Sequence, residues 1–240
     1  MIERLVVFGD SWTIGYCEDL VRDGLIEYDR ELMFGVNFIN PWPSALAKML
    51  DVKYKNYALN ANDNLNIITQ LYDYETFGHV ESTDFVVVLL STWHRISRWN
   101  DDWQSHRVFN NRKFFKHTGS RYDFDPAQGD VKDLTDKELN LRSYSAFFNY
   151  QTVINFLEKN KLRYLIGWAF SPIDDFASYI DSKYIDKMTS NPYLIEKTFI
   201  EMTNLVELSI EKGVLYHPNL EEHRQFANYI RSIIEERYGL

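Results

Sequence analysis

Short apolar runs alternate with amphipathic stretches along most of this chain. RLVVFGD (Arg4–Asp10) is apolar until it turns polar at its end. VKYKNYAL (Val52–Leu59) alternates, as a strand with one exposed face does. DFVVVLLS (Asp84–Ser91) is apolar throughout, which predicts a central strand covered on both sides. RYLIGWAF (Arg163–Phe170) predicts a similar strand and VLYH (Val214–His217) a short fifth one. Helical spacing fills the intervals. NPWPSALAKML has prolines at its start and lines up Ala45, Leu46, Met49 and Leu50. NLNIITQLYDY spaces Leu65, Ile68 and Leu71 or Tyr72 along one face. SYSAFFNYQTVINFLEKN opens at Ser143 as a cap and sets Tyr144, Phe147, Phe148 and Ile154 on one side. A further helix is expected from Pro192 to a stop at Gly213. The last begins at Asn219, with Glu222 at capping-box spacing and Phe226, Ile230, Ile233 and Ile234 turned inward.

Strands that alternate with helices imply an α/β fold: a parallel sheet of about five strands with helices on both faces. In such sheets the reactive end is the carboxyl end of the strands. One segment breaks the pattern. Residues 95–142 are polar, aromatic and without helical or strand period, too long for a simple connector. The chain therefore predicts a single domain over residues 1–240, with a cap or binding loop inserted at about 95–142.

Composition narrows the function classes. The 240 residues are 45% hydrophobic and 25% charged, ordinary for a globular protein with a real core. A net charge of −9 speaks against a sequence-independent grip on nucleic acid. The single cysteine, Cys17, rules out an intrachain disulfide and a cysteine metal site; it reads as a packed thiol. His79, His94, His106 and His117 have no metal-site spacing, and FGDSWTIG lacks the lysine and spacing of a phosphate loop. No metal or organic cofactor is expected. The opening MIERLVVFGD is not a signal peptide and no stretch has the length of a membrane span, so the expectation is a cytoplasmic protein without a membrane partner.

The candidate chemistry begins where the first strand ends. Gly9-Asp10-Ser11-x-Thr13, directly after an apolar run near the start of the chain, resembles the signature of the SGNH (GDSL) hydrolases. That resemblance implies a flavodoxin-like three-layer α/β/α sandwich with esterase, lipase or carbohydrate-deacetylase activity. Carried over residue by residue, it makes Ser11 the nucleophile and gives Asp10 the task of steadying the turn. NYALNANDN (Asn56–Asn64) matches the second block, with Ala61 in place of the glycine whose N–H binds the oxyanion and Asn64 at the block's final asparagine. In the third block LSTWHR sets Trp93 and His94 where the family has its asparagine and aspartate. The last block matches from His217 onward as His-Pro-Asn before an apolar helix, with Val214 in the aspartate's place. His223 is expected to pack beneath that loop.

The resemblance thus implies a Ser11–His217 dyad. A backbone carbonyl could hold the imidazole tautomer that an aspartate usually fixes. Asp174 and Asp175 are alternative carboxylates for that role, or simply solvent-facing loop residues. His94 either touches substrate or sits at an exposed strand end, and Arg95 either meets an anionic substrate group or forms a surface ion pair. The expected partner is a small-molecule or carbohydrate ester, with aromatics such as Trp99, Trp103 and Phe109 in the insertion suited to stacking on sugar. The departures at Ala61, Trp93 and Val214 leave a rival reading: a catalytically degenerate module that binds or builds. A flavodoxin-like nucleotide binder is a third.

Overall fold

In a computed structural model, the chain forms four parallel strands with helices on both faces. The structure describes residues 2–14, 41–58, 62–91, 93, 135–169, 173–202 and 218–239, with Ser11 and Ile200 as backbone only. The strands are β1 (Arg4–Phe8), β2 (Lys53–Asn56), β3 (Asp84–Leu90) and β4 (Arg163–Trp168), in the spatial order β2-β1-β3-β4. Arg4 stands opposite Lys53 on one side and Asp84 on the other, and Phe85 opposite Arg163. β3 is buried at every residue, as its unbroken apolar run predicts, whereas β2 alternates exposed and half-buried at the edge. The expected fifth strand, Val214–His217, lies outside the described residues, so the sheet described here has four strands rather than about five.

Alternate residues of each strand feed two separate cores, which makes three layers. Val6, Phe8, Val86, Val88, Leu90, Tyr164 and Ile166 face one way. They pack on α3 (Asn64–Thr76), α4 (Asp136–Lys159), α5 (Asp174–Ala177) and α6 (Ser182–Thr189). Leu5, Val7, Phe85, Val87, Leu89 and Leu165 face the other way. These meet α2 (Trp42–Leu50), α7 (Phe199–Met202) and α8 (Leu220–Tyr238). A short α1 (Ser11–Ile14) follows β1 directly.

Local chemistry sets most helix ends. α8 starts with the expected capping box, in which Asn219 accepts from the Glu222 N–H and Glu222 accepts from the Asn219 N–H. α4 has the same device, but eight residues earlier than Ser143: Thr135 is the cap and Glu138 its partner. Ser143 is buried in the helix interior and its hydroxyl donates to the Leu139 carbonyl. Residues 136–142 therefore belong to a helix rather than to the insertion; residues 94–134 lie outside the described part.

Three inward faces also differ from the simple spacing. On α3 the expected Ile68 and Leu71 are buried together with Ile67, Gln70 and Tyr74, while Leu65 and Tyr72 are exposed. On α4 Phe148 is exposed, and on α2 Ala47 joins Leu46 inside while Ala45, Met49 and Leu50 are half-buried. A 3.6-residue period fixes a stripe but not which of two adjacent stripes meets the sheet. Nor does Pro192 begin a helix. Residues 193–195 run beside β4 instead, with Ile166 N–H donating to Tyr193 O (3.0 Å) and Ile195 N–H to Ile166 O (2.7 Å). Gly167 makes room for this, since a Cβ there would fall 2.7 Å from that of Ile195.

At the amino end of the sheet Arg4 grips Asp84 with two hydrogen bonds, Nε to Oδ1 at 2.7 Å and Nη2 to Oδ2 at 2.8 Å. The same guanidinium reaches the His79 carbonyl (2.7 Å) and Glu81 (2.6 Å). Tyr74 donates its hydroxyl to Asp84, which also accepts the Glu81 N–H. Burial, and then that hydrogen bond, push the Tyr74 phenol well above its ordinary value.

Candidate active site

The strand order makes a crevice where β1 and β3 meet. β1 is followed by α2 on one face of the sheet and β3 by α4 on the other, so the connections diverge between β1 and β3. Ligands in open α/β sheets bind outside the strand ends at such a switch point. Ser11 follows β1 and Ser91 follows β3, so both border it.

The turn at Ser11 is built by its neighbours. Asp10 is fully buried, and its Oδ1 accepts the Trp12 N–H at 3.1 Å. Its carbonyl accepts the N–H groups of Thr13 (3.0 Å) and Ile14 (2.8 Å), closing α1 as soon as β1 ends. Gly9 must be glycine for space: a Cβ would lie 2.2 Å from Thr13 Oγ1. Asn56, at the end of β2, donates to the Thr13 carbonyl at 3.0 Å. Asp10 thus caps the Ser11 helix.

A second brace comes from the polar turn before α3. Asn62 Nδ2 donates to the Gly9 carbonyl and to Gln70 Oε1, both at 2.9 Å. Asp63 caps α3 by accepting from the Asn66 N–H (2.8 Å). Asn64, one of the expected site residues, accepts the Ser91 N–H at 2.7 Å. All three side chains are buried. Asn62 and Gln70 were not among the residues the motifs pointed to. Their signal was present, however: Gln70 is a polar residue within the inward stripe of an amphipathic helix, which requires a buried partner.

Trp93 is buried. Its ring lies nearly parallel to that of Tyr179 (5.9 Å between centroids) and tilted against Phe176, which in turn meets Trp168 edge-on. Asp174 and Asp175 form the first turn of α5, just past β4. Burial, then the charges of Glu201 and Asp174, raise the Asp175 carboxyl above the usual carboxylate value. Ala61, His94, Arg95 and His217 lie outside the described residues, so the structure places neither a Ser11–His217 contact nor the oxyanion N–H of Ala61.

The first turn of α8 nevertheless comes close to α1. Trp12 and His223 both pack edge-on against Phe199, at 5.4 and 5.5 Å between ring centroids, and Phe199 stacks on Phe226. His223 Nδ1 accepts the Trp42 N–H at 3.4 Å. An acceptor at Nδ1 puts the proton of the neutral ring on Nε2. His223 is thus packed in the core, linking α2, α7 and α8. Among the described residues no group of three His, Cys, Asp or Glu side chains could hold a metal ion, and no helix is long and apolar enough to cross a membrane.

This architecture is that of known ester hydrolases. A lipase from a goat rumen metagenome, Lip_vut3, is similar in structure over 96% of this chain and 97% of its own, with a TM-score of 0.54 at 12% identity. The psychrotrophic esterase EstA from a Pseudoalteromonas species matches 99% of this chain and 100% of its own, with a TM-score of 0.53 at 10% identity. A carbohydrate esterase, whose active site is described as displaying divergent catalytic and non-catalytic binding functions, matches 99% of this chain and 66% of its own (TM-score 0.51, 13% identity). The α/β fold that the sequence motifs imply is thus shared with these structures. No protein-family model matches the chain, and no curated protein matches its sequence.

Proposed function

We propose that the chain is a serine esterase of the SGNH type acting on an acyl ester, with a carbohydrate as the acyl-bearing partner. The observation that carries this reading is the position of Ser11. It opens α1 at the carboxyl end of a central strand, beside the switch point, in a turn capped by buried Asp10 and kept tight by Gly9. The packing of Trp12 and His223 on one phenylalanine also supports it, because the segment leading into α8 carries His217.

In this mechanism His217 takes the proton of Ser11 as its oxygen attacks the ester carbonyl. The backbone N–H groups of Ser11 and Ala61 stabilise the oxyanion. Collapse of the tetrahedral intermediate breaks the bond to the alcohol, which leaves with the proton held by His217. Water then attacks the acyl-serine, His217 again accepting the proton, and the acid is released. The burial of Trp93 in an aromatic cluster favours His94 over Trp93 as the third contact to the oxyanion. No step calls for a metal or an organic cofactor.

A second reading is a module that binds a ligand at this crevice without turnover. Trp93 favours it, since it fills the family's asparagine position with a side chain committed to packing. A fluorophosphonate probe separates the two. The esterase reading expects labelling of the wild type and none of Ser11→Ala, with His217→Ala lowering short-chain ester hydrolysis by about 10²–10⁴-fold. An unlabelled wild type refutes it in favour of the binding module.

A further inference from the structure

We propose that Asn62 is a positioning residue for the reaction, acting on the Ser11 turn through the Gly9 carbonyl and itself aligned by Gln70 of α3. This rests on the esterase reading of Ser11. Asn62 is 1% exposed, and its amide nitrogen donates at 2.9 Å to Gly9 O and at 2.9 Å to Gln70 Oε1. An amide has two N–H donors, so this nitrogen is fully committed. Gln70 is itself buried, between Ile67 and Leu71 on the inward stripe of α3. Two buried amides bonded to each other hold one geometry, because any other leaves a buried polar group unpaired.

The bond falls where control of the turn is greatest. Gly9 is the first residue past β1, and its peptide joins it to Asp10, the cap of the Ser11 helix. A peptide unit is planar, so fixing the carbonyl of Gly9 also fixes the direction of the next N–H and the start of α1. Thr13 presses on Gly9 from the opposite end of the same turn. The adjoining residues extend the brace: Asp63 caps α3 and Asn64 takes the Ser91 N–H at the exit of β3. Asn62, Asp63 and Asn64 therefore tie together the exits of the two strands that flank the crevice. A displacement of about 1 Å at a reacting group is enough to cost about 10²-fold in rate.

A purely structural brace would lower stability without changing the reactivity of folded molecules, and the test separates the two roles. Asn62→Leu and Gln70→Met remove the donor and the aligning acceptor with little change in volume. Amide hydrogen exchange is followed at Thr13 and Ile14, whose N–H groups close the turn, and at Val86 and Val87 in β3. Fluorophosphonate labelling is measured per folded molecule. In Asn62→Leu we expect exchange at Thr13 and Ile14 to rise about tenfold or more with β3 unchanged, and labelling to slow by about 10- to 100-fold. Gln70→Met should shift both in the same direction by less, and it serves if Asn62→Leu does not fold. Unchanged exchange in the turn, an equal rise across β3, or wild-type labelling of a folded variant each overturns the proposal. Failure of the esterase reading looks different: the wild type itself resists the probe, while exchange at Thr13 and Ile14 still reports whether Asn62 holds the turn.

Discussion

The two ends of the sheet solve opposite problems with different chemistry. At the amino end the side chains of Arg4, Asp84, Glu81 and Tyr74 bond mainly to one another, with the His79 carbonyl and the Glu81 N–H as further partners. At the carboxyl end the buried side chains of Asn62, Asp63, Asn64 and Asp10 bond mainly to backbone: the Gly9 carbonyl and the N–H groups of Asn66, Ser91 and Trp12. A cluster that satisfies itself adds stability and offers nothing to a ligand. Side chains that hold backbone instead fix the shape of the turn. The difference assigns stability to one end and, in the esterase reading, chemistry to the other.

The strongest way to break this contrast is to remove Asp84. It is fully buried, and the Arg4 side chain is only 15% exposed, so Asp84→Ala leaves a largely buried guanidinium without its two-point partner. Breaking a buried pair on one side costs about 3–5 kcal/mol. Chemical denaturation should show a loss of that size, while folded molecules at low temperature keep the wild-type labelling rate. A loss below about 1 kcal/mol would show that the cluster behaves as a surface ion pair.

A second, smaller effect sharpens the contrast by pH. Tyr74, fully buried at one end, and Asp175, exposed but partly desolvated at the other, both have acid groups raised above their ordinary values. For an acid raised in the folded state, the stabilising contribution is complete below the unfolded pKa and is lost as pH rises through the folded one. Asp175 should therefore cost stability as pH climbs from about 4, and Tyr74 as it climbs above about 10. Denaturation midpoints measured across both windows check this. Asp175→Asn should flatten the acid window alone and Tyr74→Phe should reduce the slope of the alkaline one. The same slopes in the variants would remove these groups from the account.

The two ends also differ in how far they could be read from sequence. Repeating apolar runs expose their own burial, so β1, β3 and β4 and the inward face of α8 were legible from periodicity. The capping box at Asn219 was legible because both partners are three residues apart. The motif at Gly9-Asp10-Ser11 identified the turn, since the constraints on it are local. Bonds between distant residues left weaker traces. Arg4 and Asp84 are ordinary charges at strand starts until β1 and β3 are set side by side. Asn62 reaches Gly9 across 53 positions, and only the misplaced polarity of Gln70 hinted at a buried amide pair. The start of α4 was hidden because Thr135 lies in a polar stretch, and the bridge at Leu194 because it needs the edge of β4 to form.

The smallest expected effect tests the contrast at its finest grain. Thr13 is fully buried, and among the described residues its hydroxyl oxygen has no hydrogen-bond partner, although it fills the space beside Gly9 in the Ser11 turn. Every polar group of Arg4 and Asp84 described above, by contrast, is matched at the amino end. Replacing a satisfied buried hydroxyl by a methyl group costs free energy, because its former partner is left unpaired. Replacing an unsatisfied one removes a desolvation penalty and keeps the shape, so Thr13→Val should leave stability unchanged or raise it by about 0–1 kcal/mol. Matched denaturation curves decide between these cases. A loss of more than about 1 kcal/mol would mean that the hydroxyl has a partner after all, and that the carboxyl end is as fully satisfied as the amino end. A stable Thr13→Val variant would instead show that this buried hydroxyl goes unmet in the Ser11 turn.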